Sequence, residues 1–480
     1  MPLKSLIVVV SLFVGSFAYP VLGDTDKLKS QLQLSIDQSS EKYAEIAHKI
    51  WELAEVGYLE TESSQLLQKA AEESGFSIKQ GVADIPTAFV ATYGSGKPVI
   101  GIMAEFDALP GLSQTATTER DPRIDGAAGH ACGHHLFGAA SLAAAVAIKE
   151  QIQTGELKGT IRLYGTPAEE GGSGKVYMGR AGLYDDIDIM LHWHPSSSNN
   201  ASAATSLANK SAKFRFYGVA AHAAGAPHKG KSALDGVEAM NYMANLMREH
   251  VPETTRIHYV ITKGGEAPNI VPEFAEVFYY IRHPDYHVVR ELFERLVLTA
   301  EGAAKGTGTE MDYEVIHGNY NLLPNETLAS MMHDNLLKVG GVHYSKEETA
   351  FAEKLYKTLV QPEQSVGAEK QLAELKLNHG RGSTDVGDVS WLVPTAGLRT
   401  ATWVPGTSAH TWQAVAAGGT SIAHKGMINA AKTLAMTAAD LYQNPKLIKA
   451  ARKEWNMARG QDFDYYPLLG DRDPPLDYRK

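Results

Sequence analysis

The sequence predicts an α/β fold: a doubly wound domain interrupted by a ferredoxin-like α+β insert. Three observations predict it. Between Pro86 and Pro195, short β-branched or apolar runs alternate with longer alanine-rich ones, the strand–helix alternation of a mostly parallel sheet. From about Lys210 the order changes to strand, helix, strand, strand, helix, strand. After Pro324 helical patterning returns, so the second unit sits inside the first.

Taken in order, Leu28 to Gly75 has helical periodicity, including KYAEIAHKIWELAEVGYLE. PTAFVATYG and PVIGIMAEFD read as two adjacent strands joined through the Gly-Ser-Gly turn at 94–96. HLFGAASLAAAVAIKEQIQ is long and apolar enough for a buried helix. TIRLYGTP and DIDIMLHWHP are further strands, separated by a glycine-rich loop and a short helix. The insert reads as strand SAKFRFYGV, helix SALDGVEAMNYMANLMREHV, strands RIHYVITKGG and AEVFYYIRHP, helix HVVRELFERLVLTAEGAAKGTG and strand EMDYEVIHG. A charged helical stretch is expected from Glu347 to Lys376, and a long alanine-rich helix from Ser421 to Tyr442. The tail FDYYPLLGDRDPPLDYRK should pack on the surface without regular structure.

With 44% hydrophobic and 21% charged residues, the 480-residue chain can bury one large core and a second smaller one. Its net charge of −10 is spread out, with no basic run able to neutralise several phosphates, which argues against nucleic acid as a partner. The N-terminus has Lys4, an apolar run from Leu6 to Phe17, and small residues at Ser16, Ala18 and Gly23. That pattern reads as a cleaved signal peptide, residues 1–23, because the run is shorter than the roughly 20 residues of a membrane span. A secreted or periplasmic location without a stable membrane span follows. The chain has one cysteine, Cys132, so export does not explain it through an intrachain disulfide.

In open α/β sheets ligands bind outside the carboxyl ends of the strands, and three strand ends here carry metal-binding residue types. One ends in Glu105 and Asp107, one runs into Glu169 and Glu170, and one ends in His192 and His194. GHACGHHLFG places Cys132 and His134 on a glycine-containing turn, where both can aim at one point. Thiolate and imidazole suit zinc, with manganese a borderline alternative. The adjacent carboxylates of Glu169 and Glu170 diverge, so one can bind a metal while the other serves as general base. His192 and His194 face the same side of a strand, with Trp193 opposite. His410, in SAHTWQ, is a last candidate ligand from far down the chain.

The set Asp107-Ala-Leu-Pro, His130-Ala-Cys-Gly-His134, Pro-Ala-Glu169-Glu170-Gly-Gly, Trp-His194-Pro and His410-Thr-Trp-Gln resembles the zinc metallopeptidase family of aminoacylases, hippurate hydrolases, auxin-conjugate hydrolases and aminobenzoyl-glutamate hydrolases. The likeness covers nearly the whole mature chain. AAHAAGAPHKGKSALDGVEAM, APNIVPEFAEVFYYIR and TSIAHKGMINAAKTLA look most like the branch formed by the B subunit of aminobenzoyl-glutamate hydrolase.

The resemblance implies a metal-dependent catalytic domain at 24–209 and 323–480 and a lid through which two subunits dimerise at 210–322. It also implies one or two divalent ions, zinc or manganese, held by Cys132, His134, Glu170, His194 and His410. Glu169 would be the general base and acid, and His222 would reach into the partner subunit's site and polarise the scissile carbonyl. Asn269 and Arg282 would hold the substrate's carbonyl and carboxylate. His194 is preferred to His192 because the Trp-His-Pro form matches the branch. Wider members carry His-x-Asp where this chain has Glu105-Phe106-Asp107, and many carry Asp where it has His135.

The expected activity is amide hydrolysis of an N-acyl or N-aroyl amino acid, with an aminobenzoyl-glutamate-like conjugate the best guess. The expected partner is a second copy or a homologous subunit. The alternatives are a dipeptidase or carboxypeptidase with the same machinery, and a non-catalytic exported binding protein.

Overall fold

The computed structural model describes residues 24–479; the expected signal peptide, 1–23, lies outside the described residues. Among them, no helix is long and apolar enough to cross a membrane.

Three helices open the chain: α1 (Asp24–Gln38), α2 (Ser40–Leu53) and α3 (Thr61–Glu73). Strands β1 (Ser77–Gln80), β2 (Phe89–Gly94) and β3 (Val99–Ala104) follow, then α4 (His134–Thr154), β4 (Thr160–Gly165), α5 (Gly174–Arg180) and β5 (Ile189–Ser196). With β12 (Thr395–Ala401) the strands form a six-stranded sheet of order β1-β2-β4-β3-β5-β12. β4, β3, β5 and β12 run parallel, while β2 is antiparallel to β4 and β1 to β2. β3 is buried along its whole length, as a parallel strand covered on both faces requires.

The expected adjacency of the two strands around Gly94–Gly96 is therefore wrong: β4 lies between β2 and β3. A two-strand turn signal reports sequence proximity, whereas β4 pairs with both neighbours along its full length. The displacement matters, because it makes β4, β3 and β5 consecutive and brings their carboxyl ends to one edge.

α4 lies against this sheet, its buried positions rich in alanine, and packs on α2 and on the long α12 (Ser421–Gln443). Small side chains let these helices approach closely, and Leu136, Phe137, Leu142 and Ile148 fill the contact with the sheet core.

After β6 (Ala204–Thr205) the chain enters the second unit: β7 (Ala208–Tyr217), α6 (Ala233–Met247), β8 (Arg256–Lys263), β9 (Phe274–His283), α7 (Tyr286–Thr307) and β10 (Glu310–Asn319). The four strands form an antiparallel sheet of order β10-β7-β9-β8, with α6 and α7 packed together on it. Phe214, Phe216, Val277, Tyr279, Met240, Leu292 and Phe293 make its separate core. Side chains of Ser232 and Asp285 accept from backbone N–H groups in the first turns of α6 and α7, capping both helices.

The chain then returns through α8 (Glu326–Val339), α9 (Lys346–Tyr356), β11 (Asn378–His379), α10 (Val386–Leu392), β12, α11 (Trp412–Gly418), α12 and α13 (Pro445–Arg459). The helix expected to Lys376 stops at Tyr356; a capping box of Ser345 and Glu348 starts it, and Pro362 and Gly367 lie in the non-helical stretch beyond. α13 was not anticipated in the sequence. The tail lacks helix and strand, yet it is not merely superficial: Leu468 and Leu469 are buried, and its last residues reach the loop after β4.

Candidate metal centre

β3 runs out into Glu105, Phe106 and Asp107, all buried. The loop before α4 lies against the end of β5. Gly133 adopts φ 81°, and a Cβ there would lie 2.6 Å from Pro195 Cβ, so only glycine allows this approach. The packing brings Cys132 Sγ to 3.4 Å from His194 Nε2.

His134, the first residue of α4, places Nδ1 2.9 Å from Asp107 Oδ1. With that nitrogen engaged by a carboxylate, Nε2 is the one left to bind a metal. Asp107 also holds the next loop, since its Oδ2 accepts from the Glu170 N–H at 2.9 Å. Ala168, at φ 56°, starts this turn, and its N–H donates to the buried Glu60 Oε1 at 2.7 Å. From the far end of the chain, the His410 N–H donates to the Ala131 carbonyl at 2.9 Å. Its Nε2 then lies 3.3 Å from Glu170 Oε1.

Potential ligand atoms gather within 4.8 Å of one another in three overlapping sets: Cys132, His134 and His194; Cys132, Glu170 and His410; and His134, Glu169 and Glu170. The first two share Cys132 and the first and third share His134, so these residues would hold one ion or two close together. The residues fit a metal on a direct observation: His134 Nε2 and Glu170 Oε1 are buried without a well-directed hydrogen bond, their neighbours being Glu105 Oε2 at 3.1 Å and His410 Nε2 at 3.3 Å. A thiol, three imidazoles and a carboxylate are the donors of zinc and of similar borderline ions.

A fourth set, Glu105, Glu169 and Asp385, has the same spacing but already surrounds a cation. Lys175, fully buried, places Nζ 2.8 Å from Glu105 Oε1 and 2.7 Å from Asp385 Oδ1, and its N–H donates to Asp385 Oδ2 at 2.9 Å. The ammonium makes this a closed charge cluster behind the ligand sets.

Burial raises the Glu169 carboxyl well above its ordinary pKa, and the charges of Glu105, Glu170 and Asp385 push the same way. A carboxyl so tuned can both take and return a proton. Burial opposes charge on His134, but Cys132, Glu105 and Asp107 outweigh it and hold its pKa well above the usual value.

Cys132, His134, Glu169, Glu170, His194 and His410 thus converge. His222, Asn269 and Arg282 do not join them, because they belong to the second unit. His222 is exposed, its Nδ1 accepting from the N–H groups of Ala224 and Gly225. The Asn269 carbonyl accepts from the Ala223 N–H at 3.0 Å, so these two residues sit on neighbouring loops. Arg282, on β9, stacks 5.1 Å from the Tyr280 ring, and its Nε has no partner.

His192 enters no ligand set, and its ring fills the space beside Gly397. His130 and His135 are tied to the carbonyls of Ile50 and Gly418, each at 3.0 Å, which makes them packing residues of the loop. Lys175, Asp385 and Glu60 escaped the sequence reading. Lys175 and Asp385 lie in GGSGK and STDVGD, where neither carries a motif of its own.

Residues 208–307 match the peptidase dimerisation domain of the M20 family. The chain is 40% identical to the B subunit of p-aminobenzoyl-glutamate hydrolase from Escherichia coli strain K12 over 448 residues, 88% of this chain and 93% of that protein. It is 30% identical to the Xaa-Arg dipeptidase of Mus musculus over 90% of this chain and 93% of that one. The A subunit of the Escherichia coli hydrolase matches over 54% of this chain at 27% identity, covering 62% of that protein. Among solved structures, the fold is shared with an aminobenzoyl-glutamate utilization protein from Klebsiella pneumoniae, at TM-score 0.62 and 19% identity over 86% of this chain and 99% of that one. A dinuclear metal-binding peptidase of the M20 family from Bacillus subtilis has TM-score 0.57 and 16% identity over 85% and 99%. With this fold, this set of convergent donors and these relatives, the chain belongs to the M20 metallopeptidase family and is a hydrolase, related along most of its length to the B subunit of p-aminobenzoyl-glutamate hydrolase.

Proposed function

We propose that the protein hydrolyses the amide bond of an N-aroyl amino acid of the p-aminobenzoyl-glutamate type. The observation that carries the reading is the pair of ligand sets sharing Cys132, with the proton-tuned Glu169 beside them. Cys132, His134, Glu170, His194 and His410 would hold one or two divalent ions, zinc or manganese. Such an ion, when bound, polarises the scissile carbonyl and acidifies water.

The chain supplies the rest. Glu169 takes the proton of the attacking water and returns it to the leaving amine. Asp107 keeps the His134 ring in place and the Glu170 turn closed. His222, from a second copy joined through the 210–322 unit, donates to the developing oxyanion. Asn269 and Arg282 hold the substrate's carbonyl and α-carboxylate, a planar guanidinium being suited to bidentate carboxylate recognition. A homologous subunit in place of the second copy would serve equally. The N-terminal apolar run supports export to the periplasm or outside the cell.

The second reading is a dipeptidase, favoured by the likeness to Xaa-Arg dipeptidase along 90% of the chain. Purified protein loaded with Zn²⁺ or Mn²⁺ should release amine from p-aminobenzoyl-glutamate faster than from Xaa-Arg dipeptides. The reverse order would favour the dipeptidase, and hydrolysis of neither would sink both. Glu169→Gln should abolish turnover while the metal content per chain stays unchanged.

A further inference from the structure

β12 is an otherwise buried edge strand: Ala396, Leu398, Thr400 and Ala401 are covered, and Arg399 alone is exposed. In the parallel register Arg399 stands opposite His194, as Gly397 stands opposite His192. Paired residues of neighbouring strands project to the same face, so Arg399 shares the face that carries the ligand histidine. Its backbone is fixed on both sides, the N–H donating to the Asn200 carbonyl and the carbonyl accepting from the Asn200 N–H at 2.9 Å.

Among the described residues the Arg399 side chain has no hydrogen bond and no ion pair. The other fixed cation of the site is spoken for, since Lys175 is neutralised by Glu105 and Asp385. The residue is solvent-exposed, yet enough protein surrounds the guanidinium that desolvation lowers its pKa, with Glu105 the charge that acts the other way. Both facts together describe a side chain on the wall of a cleft, not on a convex surface. An uncompensated guanidinium in such a place costs free energy unless a ligand anion pairs with it.

We infer that Arg399 is a substrate-binding residue that takes the side-chain carboxylate of an acidic amino acid, and so selects glutamate-type conjugates. The inference rests on the amide-hydrolase reading above, in which Arg282 takes the α-carboxylate; a dicarboxylic amino acid needs a second cation, and Arg399 supplies it from the core sheet. A planar donor fork beside the reacting centre would hold a γ-carboxylate through two parallel hydrogen bonds, which an amide in its place cannot match.

The test compares p-aminobenzoyl-glutamate with p-aminobenzoyl-glutamine on the intact metal-loaded protein and on Arg399→Gln and Arg399→Lys. For the glutamate conjugate, Arg399→Gln should raise KM about tenfold or more, the worth of a lost charge-assisted hydrogen bond, with kcat little changed. KM for the glutamine conjugate should stay within about twofold, and Arg399→Lys should recover part of the loss. Equal effects on both conjugates, or no effect on either, would overturn the assignment, as would a response confined to a carboxylate placed on the acyl side.

Calorimetric binding of glutarate and butyrate keeps the test independent of turnover. Glutarate should bind more tightly than butyrate to the wild-type protein, and Arg399→Gln should erase the difference. Failure to hydrolyse either conjugate, with that binding difference intact, would remove the N-aroyl amino acid reading and leave the anion site standing. Absence of the binding difference would remove the anion site.

Discussion

Arg479 Nη2 donates to the Glu170 carbonyl at 2.6 Å, and Tyr478 Oη donates to the same oxygen at 3.1 Å. The end of the chain therefore clamps the turn that carries Glu169 and Glu170. Tyr478 also packs edge-on against Tyr58, whose hydroxyl donates to the Gly172 carbonyl at 2.6 Å.

Arg479→Ala should release this turn. A charged hydrogen bond is worth about 1.5 kcal/mol, so kcat should fall about tenfold if the turn's position matters fully in the transition state. The melting temperature should fall only modestly in a chain of this size, and Arg479→Lys should restore part of kcat. A drop in melting temperature with unchanged kcat would show a structural contact only.

Lys175→Met should be among the most destabilising single changes in the molecule. It leaves Glu105 and Asp385 buried without their shared ammonium, a cost of about 3–5 kcal/mol, with only the residue 175 N–H on Asp385 and the His134 ring beside Glu105 remaining. Adding Asp385→Asn should recover part of that loss, because one orphaned charge is removed as well. Denaturant unfolding of the two singles and the double measures the coupling, and simple additivity would mean that the close contacts carry no energetic coupling.

Asp107→Asn keeps every proposed ligand but weakens the group that orients His134. Such partners are worth about 10–100-fold in metal affinity. Competition with a chelator should register that loss, and Cys132→Ser should lower the bound metal further. Unchanged metal content in Cys132→Ser would remove the thiol from the ligand set.

Asp388 supplies a pH signature away from the metal donors. Burial raises its carboxyl from 3.8 to about 7, although the Tyr320 N–H and the Tyr465 hydroxyl, both donating to it, pull the other way. Between roughly pH 4 and 7 the folded protein keeps a proton that the unfolded chain has released, so the Asp388 contribution to unfolding free energy falls as pH rises through that window and levels off above it. Asp388→Asn should flatten this part of the profile in denaturant titrations from acid to neutral pH. Identical profiles for variant and parent would show that folding does not raise the carboxyl's pKa.

Much of this molecule is local and was therefore readable in the chain. Short β-branched or apolar runs marked β3, β4 and β5, long alanine-rich runs marked α4 and α12, and the strand–helix–strand–strand–helix–strand order marked the inserted unit, because run length and residue type are set within one element. The ligand candidates were legible for a similar reason: Cys132 with His134, Glu169 with Glu170, and His194 at a strand end are short-range patterns. Even so, the Glu347–Lys376 stretch shows the limit of composition, since charged residues there form a helix only to Tyr356.

What tertiary structure alone decided is pairing at a distance. Which strand lies between β2 and β3, that Lys175 meets Asp385 210 residues away, that Arg479 closes on Glu170, and that Arg399 stands opposite His194 all depend on contacts between elements. No periodicity encodes them, because they arise when separate surfaces bury one another and each polar group left inside must find a partner.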